Sequence, residues 1–229
     1  MKSDITANLM ELRGRIAEAC DEYDRDFDDI TIVAVTKTHP ARTLRTAVAA
    51  GLHNIGESRI QEAEAKILEV GHVARYHMIG HLQTNKVKKA VELFDVIQSV
   101  DSLRLAEEIS RRAVEVSRTI ECLIEVNSSG EEAKFGAPPE QTLDLIRQVK
   151  DLPGIELTGL MTVGPLTDDE DDIREAFAKV RELFKQGREI VGDQFDCLSM
   201  GMSDDFPLAI AEGSTMIRVG SGIFGPRQK

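Results

Sequence analysis

Lys37 is the side chain whose neighbours best prepare it for chemistry. It ends Ile30-Thr-Ile-Val-Ala-Val-Thr-Lys37, a short run rich in β-branched residues and apolar at nearly every position. Such a run predicts a parallel strand covered on both faces, and period-two alternation puts Val33, Val35 and Lys37 on one side. An ammonium group projecting from apolar neighbours is desolvated, which favours the neutral amine and lets it attack an aldehyde. A strand-end lysine also snorkels to solvent, so Lys37 alone decides little. Two loops near the end of the chain weigh more. Leu198-Ser-Met-Gly-Met-Ser-Asp-Asp205 offers the hydroxyls of Ser199 and Ser203 around Gly201. Arg218-Val-Gly-Ser-Gly-Ile-Phe-Gly225 offers successive amides at Gly220, Ser221 and Gly222. Both have the composition of a phosphate cradle, although glycine and serine also make ordinary turns.

These groups can meet only if the elements between them bring them together. After the first strand, Pro40 opens a helix running to Gly51, and the alternation continues with Asn54-Ile55, helix 58–69, His77–Ile79, helix 83–92, Val96-Ile97 and helix 102–117. It goes on through Cys122–Val126, helix 139–150, Leu157–Leu160, helix 169–191, Phe195–Leu198, helix 204–212 and Met216–Val219. Eight strands with seven helices between them predict βαβ units with right-handed crossovers, closed into one TIM-type (β/α)8 barrel. Barrels of this kind place reactive groups at the carboxyl ends of their strands and bind phosphate on the loops after strands seven and eight. That is where Lys37 and the two glycine- and serine-containing loops fall. Residues 4–22 carry Ile5, Leu9, Leu12, Ile16 and Ala19 as one apolar helical stripe, with Ser3 or Asp4 as cap, and this extra N-terminal helix is expected to fill the place of the missing eighth helix. A doubly wound open sheet is the rival, but no G-x-G-x-x-G follows the first strand. The acidic run Asp168–Asp172 reads as a solvated helix start.

No linker, repeat or low-complexity tract interrupts the 229 residues, so one domain over 1–229 is expected, with no second domain. Twenty-eight Lys and Arg against 40 Asp and Glu give a net charge of −12, which disfavours nucleic acid and anionic membrane as partners and favours a monomer weakly. A small phosphate ester is not disfavoured, because backbone amides bind one without a basic surface. Cys20, Cys122 and Cys197 lie far apart in no metal-ligand or C-x-x-C spacing and read as reduced thiols. The first residues lack an apolar signal core, and no later run approaches a membrane span, so the expected location is cytoplasmic.

The chain resembles the pyridoxal phosphate homeostasis proteins, a family fold-related to the barrel half of alanine racemases, the type III fold of pyridoxal 5'-phosphate (PLP) proteins. The matching segments are Val33–Lys37 with Pro40, Gly56-Glu57 with Gln61-Glu62, His77–Gly80 with Leu82–Lys86, and Ser99–Asp101. They continue through Val126-Asn127, Gly130-Glu131, Lys134, Gly159–Thr162, Leu198–Asp205, Gly213–Met216, Arg218 and Ile223–Gly225. The LSMGMSDD segment with the early lysine is the specific part. The resemblance implies PLP as cofactor, Lys37 as its Schiff-base residue, the phosphate on Ser199, Ser203, Gly220 and Ser221, and Arg218 facing the pyridine nitrogen. Asn54, Met200 and Met161 would wall the ring. The chain departs from the usual pattern at Ser58, Tyr76, His81 and Val163–Leu166; by the resemblance, the shorter side chain at Ser58 puts one contact to the ring's phenolic oxygen in doubt.

A PLP racemase needs a base on each face of a planar intermediate. The two tyrosines, Tyr23 and Tyr76, sit where packing or surface roles suit them better, and His77 and His81 read as scaffold. The expectation, as the resemblance implies, is a non-catalytic carrier that takes part in intracellular PLP homeostasis, with PLP-dependent apoenzymes as candidate recipients. A low-activity amino-acid racemase is the alternative, and a Schiff-base aldolase acting on a sugar phosphate is a third reading.

Overall fold

The computed structural model describes residues 4–131 and 135–225, so Ser3 and Lys134 lie outside the described residues. Eight parallel strands run in chain order: β1 (Thr31–Val35), β2 (Asn54–Glu57), β3 (Arg75–Met78), β4 (Val96–Val100), β5 (Ile120–Glu125), β6 (Ile155–Met161), β7 (Cys197–Ser199) and β8 (Met216–Val219). They close into a barrel, β8 returning to β1 in a register that pairs Ile32 with Ile217. Around it lie α1 (Ile5–Glu22), α2 (Ala41–Ala49), α3 (Ile60–Val70), α4 (Val87–Leu93), α5 (Leu103–Glu115), α6 (Pro139–Val149), α7 (Glu170–Val191), α8 (Phe206–Ala211) and the single turn α9 (Ser221–Phe224). None of the described helices is long and apolar enough to cross a membrane.

Alternation divides the core into two layers. Val33, Val96, Leu123, Met161, Cys197 and Met216 form a small cluster, and their strand neighbours Ala34, Ile97, Ile124, Leu160, Leu198 and Ile217 belong to the larger one that packs against the helices. The small cluster fills the barrel and the large one surrounds it.

The stripe on α1 is buried as the spacing predicts, with Leu12 and Ile16 nearly or fully enclosed. Each such side chain contributes roughly 1.5–3 kcal/mol when removed from water. The helix packs where an eighth outer helix would stand: Asn8 donates to the Ile223 carbonyl at 2.9 Å, and the Arg15 guanidinium lies 4.7 Å from the centre of the Phe206 ring. Asp4 caps α1 by accepting from the Thr6 and Ala7 amides. Asp169 caps α7, and Glu170, Asp171 and Asp172 fill its first turn, where the helix dipole favours negative charge.

Two departures from the sequence expectation bear on the site. β1 ends at Val35, which places Lys37 in the turn two residues beyond the strand. β2 continues to Glu57, two residues further than its apolar pair indicates, because Gly56 and Glu57 carry too little apolar pattern to read as strand.

Candidate functional site

The carboxyl ends of the strands surround a cleft of about 360 Å³, within the range of small-ligand sites. Lys37 from the β1–α2 turn, Ser203 from the β7–α8 loop, Arg218 from β8, and Gly220 and Ser221 immediately after it all line this one space. They come from opposite ends of the chain and meet because β8 pairs with β1. Val35, Ile79 and Val163 supply apolar wall. Gly220 brings the final loop against β1, its Cβ position lying 3.4 Å from the Val35 carbonyl oxygen, an ordinary van der Waals contact. Gly222 donates to the Ser203 hydroxyl at 3.4 Å, which draws the two phosphate-type loops together.

The turn that carries Lys37 is braced from behind. The buried Lys66 ammonium of α3 donates to the Thr36 carbonyl at 2.6 Å, to Glu57 at 2.6 Å and to Glu62 at 2.8 Å. Thr36 donates its hydroxyl to the same Glu57, and the Thr38 amide donates to Glu62. Both neighbours of Lys37 are thereby tied to one ion cluster on β2 and α3. The cluster also holds Thr38 at a φ of 69°, a left-handed conformation that costs a threonine energy. Burial pushes the Glu57 carboxyl above its ordinary range, with Lys66 opposing that shift. The spacing Glu62–Lys66 is an ordinary helix i,i+4 pair, so nothing local to it signals a role at Lys37.

Arg218 is almost wholly buried. Its guanidinium donates to the Ser199 carbonyl at 2.9 Å, the Ser199 hydroxyl at 2.7 Å and the Thr162 carbonyl at 2.7 Å. Burial pushes it down to about 10, so it stays charged at neutral pH. Glu125, ending β5, is pushed up to about 7 by burial, which Arg218 offsets only in part and Asp101 reinforces. Its Oε2 has no hydrogen-bond partner among the described residues.

Four expected residues fall elsewhere. Ser199 does not line the cleft; alternation along β7 turns it into the barrel, where its hydroxyl is held between Arg218 and Gln98. Met200 is fully buried on the helix side of the barrel wall, and Met161 belongs to the interior layer. Asn54 is the first residue of β2 and therefore stands at the amino-terminal mouth, in a second cleft with Asp29, Arg75, His77, Glu121 and Asp196. The two-residue strand expected there put Asn54 too close to a carboxyl end.

The sequence reading also missed cleft residues, chiefly His39, Asp204 and Met202. His39 is half-buried, its ring 5.2 Å from that of Phe224, and burial followed by the charge of Lys66 lowers its pKa. The only local signal was its place in Thr36-Lys-Thr-His-Pro40, two residues after Lys37. Neither tyrosine lines the cleft: the Tyr76 hydroxyl donates to the Gly71 carbonyl, and that of Tyr23 accepts from Arg174. Ser58, one of the departures noted above, does line it.

Comparison with known proteins agrees with this fold. The family model described as alanine racemase, N-terminal domain, matches residues 11–228. A pyridoxal phosphate homeostasis protein of Haemophilus influenzae is 37% identical over 228 residues, 98% of this chain and 96% of its own length. One from Escherichia coli is 35% identical over 229 residues, 98% and 97% of the two chains. Among solved structures, PipY of Synechococcus elongatus with PLP bound superposes with a TM-score of 0.84 at 36% identity, covering 97% of this chain and all of its own. An alanine racemase of Clostridium difficile shares the fold alone, with a TM-score of 0.72 at 15% identity over 88% of this chain and 56% of its own. The chain belongs to the pyridoxal phosphate homeostasis protein family, within the group defined by the alanine racemase N-terminal domain.

Proposed function

We propose that this chain binds PLP reversibly in the cleft at the carboxyl mouth and serves its cellular supply, with no robust turnover. The observation that carries the reading is the convergence of Lys37, Ser203, Arg218, Gly220 and Ser221 on one cleft. PLP bound to PipY, a relative at 36% identity, supports it. In this reading Lys37 forms the Schiff base with the cofactor's aldehyde. Ser203 and the first amides after β8, which as leading N–H groups of α9 have no partner inside that helix, hold the phosphate. Val35, Ile79 and Val163 exclude water from one side of the ring. Bound PLP supplies an electrophilic aldehyde joined to a conjugated ring.

Arg218 faces the ring nitrogen. A guanidinium offers only donors, so it cannot accept the proton of a protonated pyridine and holds that nitrogen unprotonated. This weakens the ring as an electron sink and favours holding over turnover. His39 is the cleft residue that would act as a second base if the chain racemised amino acids, so a racemase assay on single enantiomers is the test of that alternative. We expect optical rotation to stay constant; loss at a useful rate would overturn the carrier reading. PLP-dependent apoenzymes are the proposed recipients and the monomer is the proposed state, to be checked by sedimentation, where a species near 25.3 kDa is expected.

The direct test mixes purified protein with PLP and reads visible absorbance. A protein-bound band is expected, fixed to the Lys37 peptide by borohydride reduction and mapping. Lys37→Ala should abolish it, and a wild-type protein without the band would sink the proposal.

A further inference from the structure

A line of buried polar side chains crosses the barrel interior from one mouth to the other. Arg218 donates to the Ser199 hydroxyl at 2.7 Å, and Ser199 donates to Gln98 Oε1 at 2.7 Å. The Gln98 amide nitrogen lies 2.9 Å from His77 Nδ1, and His77 Nε2 lies 3.1 Å from Asn54 Oδ1. Ser199, Gln98 and His77 are essentially inaccessible. Asn54 opens on the amino-terminal cleft and Arg218 on the carboxyl-terminal one.

The hydrogen bonds give this line a definite polarity. Arg218 has only donors, so the Ser199 hydroxyl accepts there and has its own proton left for Gln98 Oε1. Gln98 therefore presents oxygen to Ser199 and its NH₂ to His77. His77 must then accept at Nδ1 and carry its proton at Nε2, where it donates to Asn54. Every link is satisfied in this arrangement, whereas turning the Gln98 amide over would make the Ser199 hydroxyl accept from both Arg218 and Gln98, take the Gln98 acceptor from its proton, and require His77 to carry its proton at Nδ1. Burial pushes His77 down to about 3 and so keeps the ring neutral, with one nitrogen free to accept.

We propose that Gln98, held by His77 and Asn54, is a positioning residue that fixes the Arg218 guanidinium in one orientation at the cofactor ring. The proposal rests on the reading of Arg218 as the partner of the ring nitrogen. The device assigns a reason for polar residues in a layer that Val33, Val96, Leu123, Met161, Cys197 and Met216 otherwise fill with apolar atoms. It also means that a change at the amino-terminal mouth reaches the cofactor with no atom of Asn54 lining the cofactor cleft. The charged groups around His77 are Arg75 on its own strand and Asp95 before β4, with Asp29, Glu121 and Asp196 lining the amino-terminal cleft beyond it.

Two experiments test this, one of them without cofactor. In protein carrying ¹⁵N-labelled histidine, the His77 ring should show the neutral tautomer protonated at Nε2, with no titration between about pH 5 and 8. A ring protonated at Nδ1, or one that titrates in that range, overturns the polarity. The second compares PLP binding and the visible band in Gln98→Leu and Gln98→Glu. Gln98→Leu removes the acceptor for Ser199 and should weaken PLP about tenfold or more while moving the band. Gln98→Glu keeps an oxygen towards Ser199, so its band should stay at the wild-type position while the His77 proton moves to Nδ1. Wild-type affinity and band in Gln98→Leu would overturn the proposal, as would a Gln98→Glu band shifted like that of Gln98→Leu. A wild-type protein that gives no band at all would instead sink the cofactor reading, and the histidine spectrum would still decide the relay.

Discussion

Glu125 is the residue with the most direct consequence for pH. Its carboxyl is raised to about 7 by burial, above the roughly 4.3 of an exposed glutamate. The folded state therefore holds this proton more tightly than the unfolded chain does. Its contribution to stability is fully present below about pH 4 and is lost as the pH rises through about 7. Glu125→Gln, which keeps the shape and removes the charge, should stabilise by about 1 kcal/mol at pH 5 and by roughly 3 kcal/mol at pH 8. Urea unfolding at the two pH values measures this, and a difference from wild type that does not grow with pH would refute it. At this scale much of the candidate cleft was legible: Lys37, Ser203, Gly220 and Ser221, singled out by strand ends and loop composition, and Arg218, by resemblance, all line it. Ser199 was not, because Ser199 and Ser203 belong to one loop-like sequence, and of these two serines only Ser199, at the end of β7, turns its side chain inward.

Among the elements, the join between β5 and β6 is the most demanding. The register pairs Cys122 with Leu157 and then Leu123 with Gly159, skipping Thr158, which is a β-bulge. At Gly159 a Cβ would stand 1.7 Å from the Cys197 carbonyl oxygen on β7, so the backbone itself would have to move. Gly159→Ala is expected to destabilise by at least about 3 kcal/mol, read as a fall in the urea midpoint. A change within a few tenths of a kcal/mol would show that the strand can shift at little cost. The helices were read within a few residues because each buries a periodic apolar face. The short strands were read less well: β2 gains Gly56 and Glu57 from pairing with β1 and β3, and neither residue has the pattern of a strand. That extension moved Asn54 from the expected ring wall to the opposite mouth.

For the whole molecule, the 12 excess negative charges repel polyanions, yet the cleft meets its proposed phosphate with a hydroxyl and backbone amides. Binding to the folded state alone should raise stability by about 2.7 kcal/mol when PLP stands at 100 times its dissociation constant. For a chain of this size that corresponds to a melting temperature higher by roughly 5–10 °C. Lys37→Ala should lose most of the rise, and an equal rise in that variant would mean that Lys37 contributes nothing to holding the ligand. The closed barrel makes such coupling global, since the site draws on residues from β1 to β8 and the ligand would clamp the seam where the sheet closes.

The sequence by itself determined the alternation of strands and helices, the place of α1 in the outer layer, and the lysine and phosphate-type loops, because each rests on local periodicity or composition. Only the tertiary structure decided which polar groups face the cleft and which face one another. The brace of Lys66 on the Lys37 turn, the turning of Ser199 towards Gln98, and the line from Arg218 to Asn54 join residues from different strands and helices. Barrel closure makes them neighbours, and the need to satisfy each buried donor and acceptor then orients them.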